Sequence, residues 1–337
     1  MKTKILALEE YIVNIPKNIR NYIANIIEQV KDAKRKLNNL SETNYNLGIF
    51  HINKSNMADA KMRFIFAIKL KPDLTLAHYH LARCHLFNLD FEKARSEFAI
   101  ALSLNPNLEA AKYRLDILNK TVKLKPTPMQ IIEEDYDNFS SRYEDYLENK
   151  QKYRAPELLA KVIAKYIQDT NEDASDKRVL DLGCGTGLVG IYLKQLVAFK
   201  SLTGVDISTK MLELAKELEI DNKPIYTDMQ HCDFLDLKAT KRKYSIVTAC
   251  LSLCYNSDLT HILSKLDELV ENDSIFGLVV LKSESEGVVF DYDNGCFAFS
   301  TSYLLKTFKK YKWEIVIQEE IKLYEKGSKG LMFLLNK

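Results

Sequence analysis

The feature that most narrows the fold of this chain is a short β-rich run, Arg178–Leu182. It enters Gly183-Cys-Gly-Thr-Gly187 and gives way at once to a helical pattern from Leu188. Three glycines in five residues allow a sharp backbone turn, and a close approach to a ligand where a β-carbon would collide. From residue 155 onward, helical stretches alternate with β-rich runs at 178–182, 201–205, 224–227, 244–250, 274–281, 313–319 and 331–335. Such alternation predicts right-handed crossovers, and so a seven-stranded, mostly parallel sheet with helices on both faces. The last two runs follow each other without a long helix, which predicts a terminal antiparallel hairpin.

The second run is followed by Asp206, whose carboxylate can accept hydrogen bonds from both hydroxyls of a ribose. Two frames of the glycine loop compete. Gly185-x-Gly187-x-x-Gly190 matches the dinucleotide pattern literally, and a helix N-terminus beside a pyrophosphate would favour it. That frame puts Asp181 and Gly183 inside a buried strand, a poor use of a charge. The frame beginning at Gly183 leaves Asp181 at the strand's end, where it can orient the loop and face an ammonium group. It is preferred.

Upstream, a shift of 34 residues superposes Tyr45 on Tyr79, Leu47 on Leu81, His51 on His85, Ala60 on Ala94, Phe64 on Phe98, Ala67 on Ala101 and Pro72 on Pro106. Tyr113 and Leu115 continue into a partial third copy. Helix pairs that cannot bury their apolar faces alone must stack. The pattern resembles the tetratricopeptide repeat over residues 41–120, which implies an all-α repeat domain. Residues 1–40 are expected to form a helical cap, because Tyr22, Ile23, Ile26, Ile27 and Val30 share one face. Residues 121–130, with Pro126 and Pro128, read as a linker. In the repeat family the position of Tyr45, Tyr79 and Tyr113 lines a concave groove. With Arg83 they are the candidate residues for a peptide or protein partner, and packing between helices is the competing reading. His51, His78, His80 and His85 read as packing groups, and no metal site is expected.

The string Asp181-Leu-Gly-Cys-Gly-Thr-Gly187, followed by Gly204-Val-Asp-Ile-Ser208, looks like motifs I and II of class I S-adenosylmethionine-dependent methyltransferases. Together with Tyr136-Asp-Asn-Phe-Ser-Ser-Arg-Tyr143, Tyr153-Arg-Ala-Pro-Glu-Leu-Leu159 and the repeats, the chain resembles bacterial tetratricopeptide-containing methyltransferases over about residues 41–337. The resemblance implies a Rossmann-like methyltransferase domain over 131–337, opened by a lid helix, with S-adenosylmethionine as cofactor. It places Asp181, Gly183, Gly185 and Gly187 around the methionine portion, and Asp206 with Ile207 at the ribose. Asp228 and Met229, just past the third strand, would flank the adenine, with Cys232 and Asp233 as competitors. Tyr136, Phe139 and Tyr143 would form an aromatic lid, although their spacing also suits a plain amphipathic helix. Arg154 would pair with the methionine carboxylate, and Cys250 would border the cofactor from the fourth strand.

The acceptor side departs from that family. The fourth strand ends in Cys250-Leu-Ser-Leu-Cys-Tyr255 where relatives usually carry an acid, and Cys296-Phe-Ala-Phe-Ser300 stands where they tend to show a polar cluster. Tyr255, Ser252 and Tyr303 remain as weak catalytic candidates. Positioning alone can contribute on the order of 7–11 kcal/mol to methyl transfer, so a base is not required.

The formal charge of +2, with lysines scattered among glutamates, gives no reason to expect nucleic acid or an anionic membrane as partner. No run reaches the roughly 18 apolar residues of a membrane span. Six cysteines without metal-ligand spacing suggest reduced thiols in the cytoplasm. The expectation is a cytoplasmic methyltransferase acting on an acceptor, foremost a protein docked through the repeats. A weakly catalytic or non-catalytic cofactor-binding adaptor is the alternative.

Overall fold

With no proline or glycine between Lys17 and Leu47, nothing breaks the first helix, α1 (Lys17–Asn53). The boundary expected at residue 40 lies inside it. The computed structural model describes residues 17–140, 152–239, 243–324 and 327–337. The chain divides between Ala111 and Lys112 into two units.

In the first unit, α1 is followed by α2 (Met57–Leu70), α3 (Thr75–Phe87) and α4 (Phe91–Leu104). The 34-residue period survives in local detail. Asn56 caps α2 by accepting from the Asp59 N–H, and Asp90 caps α4 by accepting from the Lys93 N–H. Ser55 and Leu89, also 34 apart, both take left-handed backbone, with φ of 55° and 59°. Phe64, Ala67, Phe98 and Ala101 are fully buried, and a β-carbon on Gly48 would meet the Phe64 ring at 2.5 Å. Small residues are required there because the helices touch.

The first two of the repeated tyrosines pack against rings of the repeat helices. Tyr79 is fully buried, 5.7 Å from the Phe98 ring, and Tyr45 lies 5.9 Å from its equivalent, Phe64. Tyr79 thus packs between paired helices, while Tyr45 is half-buried. Tyr113, on α5 (Glu109–Leu118), bonds Thr127 at 2.8 Å and meets Phe290 edge-on, so it packs within the second unit. Arg83 lies 5.9 Å from the centroid of the Tyr79 ring and 3.1 Å from His80 Nδ1. His78 bridges Glu97 and the Pro72 carbonyl, which raises its pKa, the Glu97 hydrogen bond contributing most.

The second unit opens with α5, α6 (Met129–Phe139) and α7 (Ala155–Asp169). The sheet strands are β1 (Arg178–Leu182), β2 (Ser201–Asp206), β5 (Asp228–His231), β6 (Tyr244–Cys250), β7 (Val270–Leu281), β10 (Glu314–Lys322) and β11 (Lys329–Asn336). They pair in the order β10-β11-β7-β6-β1-β2-β5. All neighbours from β7 to β5 are parallel, and β11 lies antiparallel between β7 and β10. Crossover helices are α8 (Leu188–Leu196), α9 (Thr209–Lys216), α10 (Thr260–Leu269) and α11 (Thr301–Lys310). Two small hairpins complete the unit, β3 (Glu219–Ile220) with β4 (Lys223–Pro224) and β8 (Val288–Asp291) with β9 (Cys296–Phe299).

One expectation changes, and one element is added. The third sheet strand is 228–231, not 224–227, because Lys223–Pro224 is used by the small hairpin and Ile225 bonds back to Leu218. The segment 288–299 folds as a hairpin closed at Gly295, whose N–H donates to the Asp291 carbonyl. Among the described residues no helix is long and apolar enough to cross a membrane.

Candidate cofactor site

The strand order reverses between β1 and β6, and in a parallel sheet that is where strand ends open a crevice. The C-terminal ends of β6, β1, β2 and β5 stand side by side. They carry Cys250, the glycine loop, Asp206 and His231 in that order.

The loop residues Gly183, Gly185 and Gly187 have φ of +64°, +55° and +90°, conformations that favour glycine. Their surroundings differ. A β-carbon on Gly183 would meet Ser252 Cβ at 2.3 Å, and one on Gly187 would meet Leu218 at 2.6 Å. At Gly185 nothing lies within 4 Å. Space beside the backbone is therefore left open at Gly185 alone of the three. The loop is fastened underneath by Cys184 N–H to the Val205 carbonyl, 3.0 Å, and by Ser252 Oγ to the Leu182 carbonyl, 2.5 Å.

Asp181 does not stand at an exposed strand end. It is 1% exposed and lies within the sheet between Gly204 and Thr248. Its Oδ1 accepts from Thr248 Oγ1 at 2.7 Å and its Oδ2 from Tyr226 Oη at 2.8 Å. The charge objection to the dinucleotide frame therefore fails, since Asp181 is buried in a strand in any case. Burial pushes its carboxyl up to about 6 against the two hydroxyl donors.

Tyr226 reaches that carboxylate through a slot of glycines. β-Carbons on Gly187, Gly190 and Gly204 would meet its side chain at 3.0, 2.5 and 2.8 Å. Gly190, which completed the dinucleotide pattern, is thus explained by the tyrosine. Helix propensity alone predicts that Gly190→Ala stabilises α8 by about 1 kcal/mol. The clash predicts the opposite sign, a loss of about 1–3 kcal/mol, and a thermal melt of that variant distinguishes them.

Asp206, which ends β2, accepts from the Gly185 N–H through Oδ2 and from the Ser208 N–H through Oδ1, both at 2.8 Å. Burial raises its pKa and these N–H donors oppose the rise. The Ile207 carbonyl accepts from His231 Nε2 at 2.7 Å. Asp228 and Met229 are displaced from the expected position. They pair with Thr203 and Gly204 at the start of β5, whereas Asp206 is opposite His231. The residues beyond that strand end are Cys232, whose N–H bonds the Asp206 carbonyl, and Asp233, which caps a turn by accepting from Leu235 N–H.

On the acceptor side the polar candidates are engaged. Tyr255 Oη lies 2.8 Å from Tyr136 Oη, and its carbonyl accepts from Thr127 N–H. Tyr303 donates to Asp258 and accepts from Leu259 N–H, a structural tie at the start of α10. Cys250 lies 3.2 Å from Tyr153 Oη, and burial pushes its thiol up to about 12, which removes it as a nucleophile near neutral pH. Arg154 is turned to Glu157, with bonds of 3.0 and 3.1 Å on the surface, not toward the loop. Tyr143 lies outside the described residues, as does the side chain of Phe139.

Helix α6 crosses this edge. Tyr136 meets Tyr255 beyond β6, Asp137 accepts from Ser208 beyond β2, and Glu133 lies 3.9 Å from His231 at the end of β5. Arg114 anchors the helix from α5 through Glu134 and Asp135. Sequence reading missed Asp137, Ser208, Thr248 and Tyr226 as members of the site. Asp137 lay within the run Tyr136–Tyr143, but only its aromatic neighbours were singled out.

Residues 179–273 match the family described as a methyltransferase domain. Among curated relatives, the chain is 27% identical over 125 residues to ribosomal protein L11 methyltransferase of Ruminiclostridium cellulolyticum, covering 37% of this chain and 36% of that one. It is 25% identical over 150 residues to ubiquinone biosynthesis O-methyltransferase of Haemophilus ducreyi, covering 43% and 63%. The chain thus spans about a third to two thirds of the length of these relatives. Among solved structures, it is similar to the magnesium protoporphyrin IX methyltransferase of Synechocystis PCC 6803 with bound S-adenosylmethionine, at 16% identity and a TM-score of 0.47. That match covers 64% of this chain and 100% of that one.

Proposed function

We propose that this chain is an S-adenosylmethionine-dependent methyltransferase whose cofactor lies across the ends of β6, β1, β2 and β5. The observation that carries the reading is the open space at Gly185 beside a carboxylate, Asp206, already hydrogen-bonded to the same residue's N–H. The methionine portion of the cofactor fits over Gly185 and the ribose hydroxyls fit Asp206. The adenine then falls to Cys232 and Asp233. When bound, the cofactor supplies a methyl group on a sulfonium. This chain's residues orient it, and α6 excludes water from that edge.

The engaged state of Ser252, Tyr255 and Tyr303 favours an acceptor that needs no base from the enzyme. It also keeps the adaptor reading in play. We further propose that the helical pairs of the first unit are tetratricopeptide repeats that dock a protein acceptor, raising its local concentration. Their 34-residue period and the recurring caps at Asn56 and Asp90 support this. The free cysteines fit a reducing, cytoplasmic setting.

Calorimetry of the full chain with S-adenosylhomocysteine, S-adenosylmethionine and NAD tests the cofactor. Binding of the first two and not of NAD is expected. Turnover of S-adenosylmethionine to S-adenosylhomocysteine with lysate proteins as acceptor then separates enzyme from adaptor. Binding without turnover would favour the adaptor.

A further inference from the structure

Asp206 is held by its neighbours, and the chain of contacts leads out of its own motif. Ser208 donates its N–H to Asp206 Oδ1 at 2.8 Å. Ser208 is fully buried, and its hydroxyl caps α9 by accepting from the Met211 N–H at 3.1 Å. The same hydroxyl donates to Asp137 Oδ1 at 2.6 Å, and that oxygen also accepts from the Lys210 N–H at 3.3 Å. Asp137 comes from α6, 71 residues upstream. Gly185, Asp206, Ser208 and Asp137 thus form one continuous hydrogen-bonded series, from the glycine loop to the helix that crosses the site.

We infer that Asp137 is a positioning residue: through Ser208 it sets the orientation in which Asp206 meets the ribose hydroxyls, and so couples cofactor binding to the docking of α6. The inference rests on the cofactor reading above. If α6 lifts away, Ser208 Oγ and the Lys210 N–H lose this acceptor, and the turn that brings the Ser208 N–H to Asp206 is no longer tied to α6. Coupling is reciprocal, so a ligand that engages Asp206 tightens α6 in return.

Asparagine at 137 keeps an Oδ1 for both donors, whereas alanine keeps none. Calorimetry on the full chain with S-adenosylhomocysteine should show Asp137→Ala weakened about tenfold or more, and Asp137→Asn within about threefold of the parent. Hydrogen exchange supplies the second readout. Ligand should protect residues 129–139 in the parent and in Asp137→Asn, and should not in Asp137→Ala. A merely structural role would lower the melting temperature without abolishing this ligand-dependent protection. Parent-like affinity and protection in Asp137→Ala would overturn the inference, as would Asp137→Asn failing equally. Absence of binding by the parent would instead overturn the cofactor reading.

Discussion

A Gly185→Leu variant should melt within about 8 °C of the parent, yet bind no S-adenosylhomocysteine measurable by calorimetry. The cost to the fold is that of a side chain in left-handed backbone, about 1–2 kcal/mol, which corresponds to roughly 2–8 °C in a domain of this size. No steric cost adds to it at the β-carbon, because that position has no protein atom within 4 Å. The Gly185 N–H still reaches Asp206, so the loop keeps its fastening. What changes is the occupancy of the open space, where the leucine now stands at the place proposed for the methionine portion of the cofactor. Gly183 and Gly187 make poor sites for the same experiment, since β-carbons there collide with Ser252 and Leu218 and would confuse unfolding with loss of binding. A folded Gly185→Leu protein that retained parent affinity would show that the ligand lies elsewhere.

The parts of the fold legible in the sequence are those where local pattern and burial agree. β1, β6 and the stretch Ser274–Leu281 of β7 are mostly apolar, and they lie buried in the middle of the sheet. β5 failed because it is a polar edge strand, Asp228-Met-Gln-His231, partnered only by β2 within the sheet. The neighbouring Ile225 and Tyr226 carried the apolar signal but are buried side chains of a connecting segment. That slip of four residues displaced the adenine assignment with it. The hairpin at 288–299 carries a local signal, Asn294-Gly295 between apolar runs, which the sequence reading did not take up. Tyr226, Thr248 and Asp137 are different. Each acts through a partner far away in sequence, 45, 67 and 71 residues respectively, and no local spacing encodes such a pair.

The buried carboxylate beneath the glycine loop gives the second large effect, in stability rather than binding. Asp181 takes a folded pKa of about 6, raised by burial from 3.8. A carboxyl whose folded pKa lies above its unfolded value favours folding most when protonated. Its contribution is greatest below pH 3.8 and falls as pH rises through about 6, a change of about 3 kcal/mol for the two-unit shift. An Asp181→Asn chain has no charge to bury, and its amide can still bond Thr248 and Tyr226, whose hydroxyls turn to donate or accept. The stability of the parent relative to Asp181→Asn should therefore fall by about 2.5 kcal/mol between pH 4 and pH 7.5, read from urea melts of both proteins at each pH. Taking the difference cancels other groups whose titration is common to both. A flat difference would mean that the Thr248 and Tyr226 hydroxyls fully compensate the burial of the charge. A difference of opposite slope would mean that they over-compensate it, holding Asp181 ionised beneath the cofactor loop.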